Sequence, residues 1–143
     1  MKRVQRHLGR ELALLWLFQI DVGKLPASQV LEEIPDELAG VEEEAETFAR
    51  QLIQGYLADA KRIDEAIVKY ARGWPIDRLA AIDRNVLRIA LNEIFNIPDI
   101  PASVTVDEAV EVAKHYSTDE SGKFVNGILG AFLRGERGEP ERA

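Results

Sequence analysis

Residues 4–21 read VQRHLGRELALLWLFQID, and this stretch decides the fold class. From Leu12 to Phe18 every residue is apolar, with Glu11 and Gln19 as its flanks. At about 100° per residue, Leu8, Leu12, Leu15 and Gln19 fall down one side of a helix, while Ala13, Leu14, Trp16, Leu17 and Phe18 fill most of the others. A helix apolar nearly all round must be covered on all sides, so it is expected to be central, with further helices packed around it. It is too short to span a bilayer, which needs about 20 apolar residues.

Working outward, helical spacing recurs between Gly and Pro breaks, and no segment sustains the period-two alternation of a strand. The fold class is therefore all-α. Gly23, Pro26, Pro35 and Gly40 frame a connection holding a brief helix around Val30, Leu31 and Ile34. A helix then starts near Val41, with Glu42, Glu43 and Glu44 in its first turn, where the helix dipole favours negative charge. It buries Phe48, Leu52 and Tyr56, and a further helix carries Ile63, Ile67 and Tyr70. Gly73-Trp74-Pro75 ends that helix, and Asp83 is read as the N-cap of the next, which runs to Asn96. Pro98 and Pro101 force an extended linker. Thr105–Glu108 and Ser117–Glu120 have capping-box spacing and mark two more helix starts. The last helix should end near Arg134, giving one domain over 1–134 and a loose tail over 135–143.

The 143 residues carry 46% hydrophobic and 30% charged side chains, which suits one folded domain with one core. Cysteine is absent, which excludes disulfides, a thiolate nucleophile and thiolate metal ligands. His7 and His115 lie in different helices without ligand spacing, so no metal site is expected. Phosphate loops of the GxGxxG or Walker type and the GxSxG elbow are missing. No catalytic constellation or cofactor site emerges, and a binding protein is expected rather than an enzyme. The basic start is followed at once by Glu11 and Asp21 and lacks a small-residue cleavage site, so a cytoplasmic protein is expected.

Net charge is −7, unevenly spread: the first ten residues carry +4 and the remainder −11. Arg3, Arg6, His7 and Arg10 follow i, i+3, i+4, i+7 spacing and form one cationic stripe of the first helix. The same face continues into Leu14, Leu17 and Phe18. Phosphates along the stripe and a base against Phe18 is what a single-stranded nucleic acid requires; a solvated terminus is the alternative reading. In the last helix Val125, Ile128, Leu129, Phe132 and Leu133 form the buried stripe. Phe124 falls about 110° off its centre, with Lys123 farther out. An aromatic beside a lysine in a helix's first turns can stack on a base, or can cover a neighbouring helix.

Four segments together resemble the bacterial NusB family of transcription antitermination proteins. They are Arg10-Glu11 heading the apolar helix, Asp83–Ala90 (DRNVLRIA), Asp107–Lys114 (DEAVEVAK) and Lys123–Gly127 (KFVNG). The resemblance runs from about Arg6 to Leu133. It implies a compact seven-helix domain of two small helical halves. It also implies binding of boxA-type single-stranded RNA together with the ribosomal protein NusE, so that a complex with other Nus factors and RNA polymerase resists Rho-dependent termination. Carried over by position, it gives RNA contacts at Arg6, Arg10, Phe18, Lys123 and Phe124, to which the stripe adds Arg3 and His7. Asp83 is read as a helix cap or a partner contact. The arginine run is thinner than in some members, Phe18 stands where Tyr is familiar, and Gly9 is expected to weaken the first helix. The same module resembles the N-terminal domain of a group of ribosomal RNA cytosine methyltransferases, and a purely protein-binding scaffold is a third reading. Because no Rossmann-type domain follows, the free-standing factor is favoured. Monomer and homodimer both fit the sequence.

Overall fold

The computed structural model describes residues 2–138, and these form an all-helical domain. Seven α-helices follow in order: α1 (Arg3–Asp21), α2 (Ala27–Val30), α3 (Glu43–Ala58), α4 (Ala60–Tyr70), α5 (Ala81–Asn96), α6 (Ala102–Tyr116) and α7 (Asp119–Arg137). Two 3-10 turns, Asp36–Leu38 and Ile76–Arg78, sit in the connections.

The most extensive pairings are α1 with α3 and α6 with α7, and α5 packs against both pairs and against α4. The centre is thus shared by α5 and α1, so α1 is central as expected and α5 joins it. In α1, Leu12, Leu14, Trp16 and Leu17 are fully enclosed, while Leu15 and Phe18 remain half-buried. In α5, burial is continuous from Asn85 to Glu93, polar residues included. Burial of Asn85, Arg88, Asn92 and Glu93 is tolerable because each is hydrogen-bonded. Asp21, at the end of α1, accepts from Arg84 Nε at 2.7 Å, Asn85 Nδ2 at 3.0 Å and Arg88 Nη1 at 3.1 Å. Arg88 also donates from Nε to Asp64 of α4 at 3.0 Å, and Tyr56 of α3 donates to the same carboxylate at 3.0 Å. One polar cluster therefore pins four helices at the end of the bundle where α5 begins. Burial alone would raise the Asp21 carboxyl. The hydrogen bonds from Arg84 and Asn85 and the charges of Arg88 and Arg84 outweigh it and hold the carboxyl below its ordinary value.

Gly9 does something other than weaken α1. A Cβ there would lie 2.8 Å from the Phe48 ring and 2.9 Å from the Ala45 carbonyl oxygen, so the glycine is what lets α1 and α3 approach this closely.

Four expected helix ends move. Asp83 is not the N-cap of α5: the helix begins at Ala81 with Ala80 in the cap position, which leaves Asp83 inside the first turn. Thr105 is not a cap either, because α6 begins at Ala102 directly after Pro101, and Thr105 turns inward to donate to Glu93 Oε1 at 3.0 Å. At α7 the cap is Thr118 rather than Ser117, its hydroxyl accepting from Ser121 N at 3.1 Å. The last helix passes Arg134 and Gly135 and ends at Arg137, capped by Gly138 at φ 64°. Residues 135–137 therefore belong to the domain, and the rest of the expected tail, 139–143, lies outside the described residues.

Candidate nucleic-acid interface

The cationic stripe of α1 forms, but most of it faces protein. Arg10 is buried: its side chain is 4% exposed, and its guanidinium makes two 2.8 Å hydrogen bonds, from Nε and Nη2, to the carboxylate of Glu93, a side chain 1% exposed. Glu108 of α6 lies 3.7 Å from the same guanidinium, which also sits over the Phe48 ring at 5.6 Å. A bidentate pair of this burial is a structural element between α1 and α5, and Arg10 has no face to offer a phosphate. This corrects the expectation for Arg10.

His7 is half-buried and bridged, with Nδ1 at 2.8 Å from Glu108 Oε2 and Nε2 at 3.0 Å from Glu11 Oε2. Both ring nitrogens are thus engaged by carboxylates. Glu11 also accepts from the Tyr116 hydroxyl at 2.8 Å. Burial, with that hydrogen bond and the Glu11 charge behind it, pushes the Tyr116 hydroxyl well above its usual range. Of the stripe, Arg3 is open to solvent, 92% exposed and only 4.0 Å from Glu108, and Arg6 is half-buried with no hydrogen-bond partner for its Nε. Phe18 is half-buried, farther along α1.

The second expected pair, Lys123 and Phe124, lies on a much larger feature. Between α7 and the loop that joins α4 to α5 runs an open groove of about 640 Å³. Its α7 wall presents Lys123 and Phe124, then Gly127 and Ala131 one and two turns on, then Arg134. The small residues at 127 and 131 keep that wall flat, so the groove stays open below Phe124. The opposite wall comes from the loop: α4 ends at Tyr70, Arg72 and Gly73 take positive φ (58° and 80°), and the chain turns out through Trp74 and Arg78. Trp74, held between Gly73 and Pro75, is 56% exposed.

Phe124 is half-buried and packs against the core with one part of its ring while lining the groove. It thus covers core residues, as one reading expected, and keeps part of its surface on the groove. Lys123 is exposed and 3.3 Å from Glu120. Arg72, Arg78 and Arg134 have no carboxylate partner among the described residues. The acid in the groove is Asp83, 8% exposed, with its Oδ1 lacking any hydrogen-bond donor. At that depth a protein partner would reach it only with an inserted side chain.

The groove residues missed in the sequence are Trp74, Arg72, Arg78 and Arg134. One signal was present: a tryptophan between Gly and Pro cannot lie on a buried helical stripe, so its exposure was legible. Among the described residues no cluster of His, Asp and Glu could hold a metal ion, and no helix is long and apolar enough to cross a membrane.

A model of the NusB family matches residues 7–134. A transcription antitermination protein NusB of Symbiobacterium thermophilum is 45% identical, the match covering 94% of this chain and 93% of that protein. Among solved structures, T. maritima NusB superposes with a TM-score of 0.81 at 41% identity, covering 94% of each chain. A chain from a crystal structure of antitermination factors NusB and NusE in complex with dsRNA superposes with a TM-score of 0.83 at 26% identity, covering 93% of this chain and 98% of that one. These relatives are named for antitermination rather than for a catalytic activity, in agreement with the expectation of a binding protein. Fold, KFVNG segment and near full-length identity converge: the chain belongs to the NusB family.

Proposed function

We propose that this protein is a cytoplasmic RNA-binding antitermination factor. It holds boxA-type single-stranded RNA together with a NusE-type ribosomal protein, and with other Nus factors on RNA polymerase it suppresses Rho-dependent termination. The observation that carries the reading is the groove: a local excess of positive charge around aromatic faces, on a chain whose net charge is −7. Phosphates need the first and unstacked bases the second. The RNA-facing set is Arg3, Arg6, Phe18, Lys123 and Phe124, with Arg72, Arg78 and Arg134 added from the groove. His7 contributes through the carboxylates it bridges, and Arg10 through packing. The acidic remainder of the surface suits a basic ribosomal protein, since complementary charge favours encounter.

The test is fluorescence anisotropy of labelled boxA-type RNA, titrated with the protein alone and with the NusE-type partner present. The partner should raise RNA affinity. For the protein alone, neutralising about three to six phosphates of a single strand gives a slope of log K against log salt of about −2 to −4. An affinity unchanged by the partner overturns the two-protein reading, and RNA binding indistinguishable from zero with the partner present overturns the RNA reading.

A further inference from the structure

We infer that Arg84 and Asp21 are positioning residues for the RNA groove: neither lines it, but together they fix the 71–80 loop that forms one of its walls. The inference rests on the RNA-binding reading above and goes beyond it, to side chains that set the shape of the surface without belonging to it.

The loop needs fixing from outside itself. It leaves α4 through Arg72 and Gly73 at positive φ, and its backbone hydrogen bonds are local: Gly73 N to Val68 O at 2.9 Å, Arg78 N to Pro75 O at 3.0 Å and Leu79 N to Ile76 O at 3.2 Å. Bonds of this kind set the bends of the segment and leave its distance from α7 open. Ile76 and Leu79 pack partly on the core, but apolar contact is non-directional. Arg84, in the first turn of α5, supplies the direction. Its Nη1 donates to Leu79 O at 2.9 Å, reaching back across the helix start to the end of the loop, and its Nε donates to Asp21 Oδ2 at 2.7 Å. A planar guanidinium with two donors engaged has little freedom, so the Leu79 carbonyl is held at a set place relative to the end of α1.

Asp21 Oδ2 is the common point. It also accepts from Asn85 Nδ2 at 3.0 Å and Arg88 Nη1 at 3.1 Å, and Arg88 donates from Nε to Asp64 of α4 at 3.0 Å. The two helices that the loop joins, α4 and α5, are therefore tied to one carboxylate of α1, which sets the span between the loop's ends. Trp74, Arg78 and Leu79 on the loop form the wall opposite Lys123, Phe124 and Arg134 of α7. A strand that touches both walls binds with full affinity only to molecules whose loop is in place. Loosening the tie raises the apparent Kd by the inverse of the fraction that remains in place.

Charge gives the test its sign. Asp21→Asn removes a negative charge from an acidic protein, so electrostatics alone would tighten RNA binding, whereas loss of a positioning residue weakens it. The full chain with the NusE-type partner is titrated against a labelled boxA-type single strand of about 12 nucleotides. The temperature is one at which circular dichroism shows parent and variants equally folded, and amide hydrogen exchange is followed in residues 71–80. Asp21→Asn and Arg84→Met should each weaken RNA binding about three- to tenfold, speed exchange in 71–80 and leave the salt slope of RNA binding unchanged. Arg84→Lys, which keeps the charge but not the fork, should recover only part of the loss. Combined, Asp21→Asn and Arg84→Met should bind no worse than the weaker of the two alone. If Arg84 instead touches a phosphate, Arg84→Met reduces the steepness of the salt slope by about 0.7, Arg84→Lys restores binding and Asp21→Asn tightens it, and the inference is wrong. Unchanged exchange in 71–80, or variants that bind RNA as the parent does, also overturn it while the RNA reading stands. If the parent with its partner binds no RNA, the RNA reading and this inference fall together.

Discussion

Arg10→Met distinguishes a packed arginine from a phosphate-binding one, and its consequences can be worked from the contacts. The substitution keeps most of the aliphatic stem but removes both 2.8 Å hydrogen bonds to Glu93, which would retain only the 3.0 Å bond from Thr105. With Glu93 1% exposed, the result is a buried carboxylate without a counter-ion, a defect that costs about 3 to 5 kcal/mol. Domains of this size have a total stability of about 5 to 15 kcal/mol, so the loss is a large part of the whole. For a urea m-value of about 2 kcal/mol per M, the midpoint should fall by roughly 2 M. Adding Glu93→Leu to Arg10→Met removes the orphaned charge and should recover most of the loss, so that the two substitutions are strongly non-additive. RNA affinity, measured by anisotropy at a temperature where Arg10→Met is fully folded, should stay within about twofold of the parent, well under the tenfold that 1.4 kcal/mol represents. An unchanged urea midpoint together with a loss of RNA binding of tenfold or more would refute the argument and return Arg10 to the RNA surface.

Four further variants have expected outcomes. Gly9→Ala should destabilise by about 1 to 3 kcal/mol in urea melts, because the new methyl meets the Ala45 carbonyl and the Phe48 ring; a gain approaching the ~1 kcal/mol of helix propensity would show that α1 and α3 have slack. Phe132→Ala removes a buried ring in edge contact with Tyr70 and Phe95 and should cost about 3 to 5 kcal/mol. The half-buried Phe124 cut to Ala should cost about half as much and, unlike Phe132→Ala, weaken RNA binding by about 1 to 3 kcal/mol; equal stability losses without an RNA effect would remove Phe124 from the interface. The depressed Asp21 carboxyl contributes stability that is complete above the unfolded value near 3.9 and is lost as pH falls through the lower folded value. Asp21→Asn should therefore flatten the fall of the urea midpoint between about pH 5 and pH 2, and an acid profile identical to the parent's would contradict that assignment.

What the sequence made legible is what periodicity encodes. The apolar run of α1, the buried stripe of α7 and the Gly and Pro breaks placed the helices to within a few residues, and KFVNG marked Lys123 and Phe124 at the groove. Periodicity assigns a residue to a face without saying what covers that face. Arg3, Arg6, His7 and Arg10 do share a side of α1, but the acid that claims Arg10 lies 83 positions away on α5, and those that claim His7 lie on α1 and α6. The failed caps have a related cause. A Thr three residues before a Glu reads as a capping box wherever it occurs, yet Pro101 starts α6 a turn earlier and Glu93 takes the Thr105 hydroxyl. Trp74 escaped for the opposite reason, since it belongs to no periodic segment and only its setting between Gly and Pro speaks for it.

The same sorting explains how an acidic protein can serve a polyanion. Net charge governs the field far from the surface, but at physiological salt that field is screened beyond about 8 Å, and a bound strand responds to the charges within that range. Inside the fold, carboxylates claim cations one by one: Glu93 takes Arg10, Glu11 and Glu108 take His7, and Asp21 takes Arg84 and shares Arg88 with Asp64. Among the described residues Arg72, Arg78 and Arg134 have no such partner, and all three line one groove, where Asp83 is the acid. The groove is thus locally cationic on an acidic chain, because Arg72, Arg78 and Arg134 line it with Asp83 as the acid among its lining residues. On the proposed function, the cationic groove is the surface suited to RNA, and the acidic remainder is the one suited to a basic partner protein.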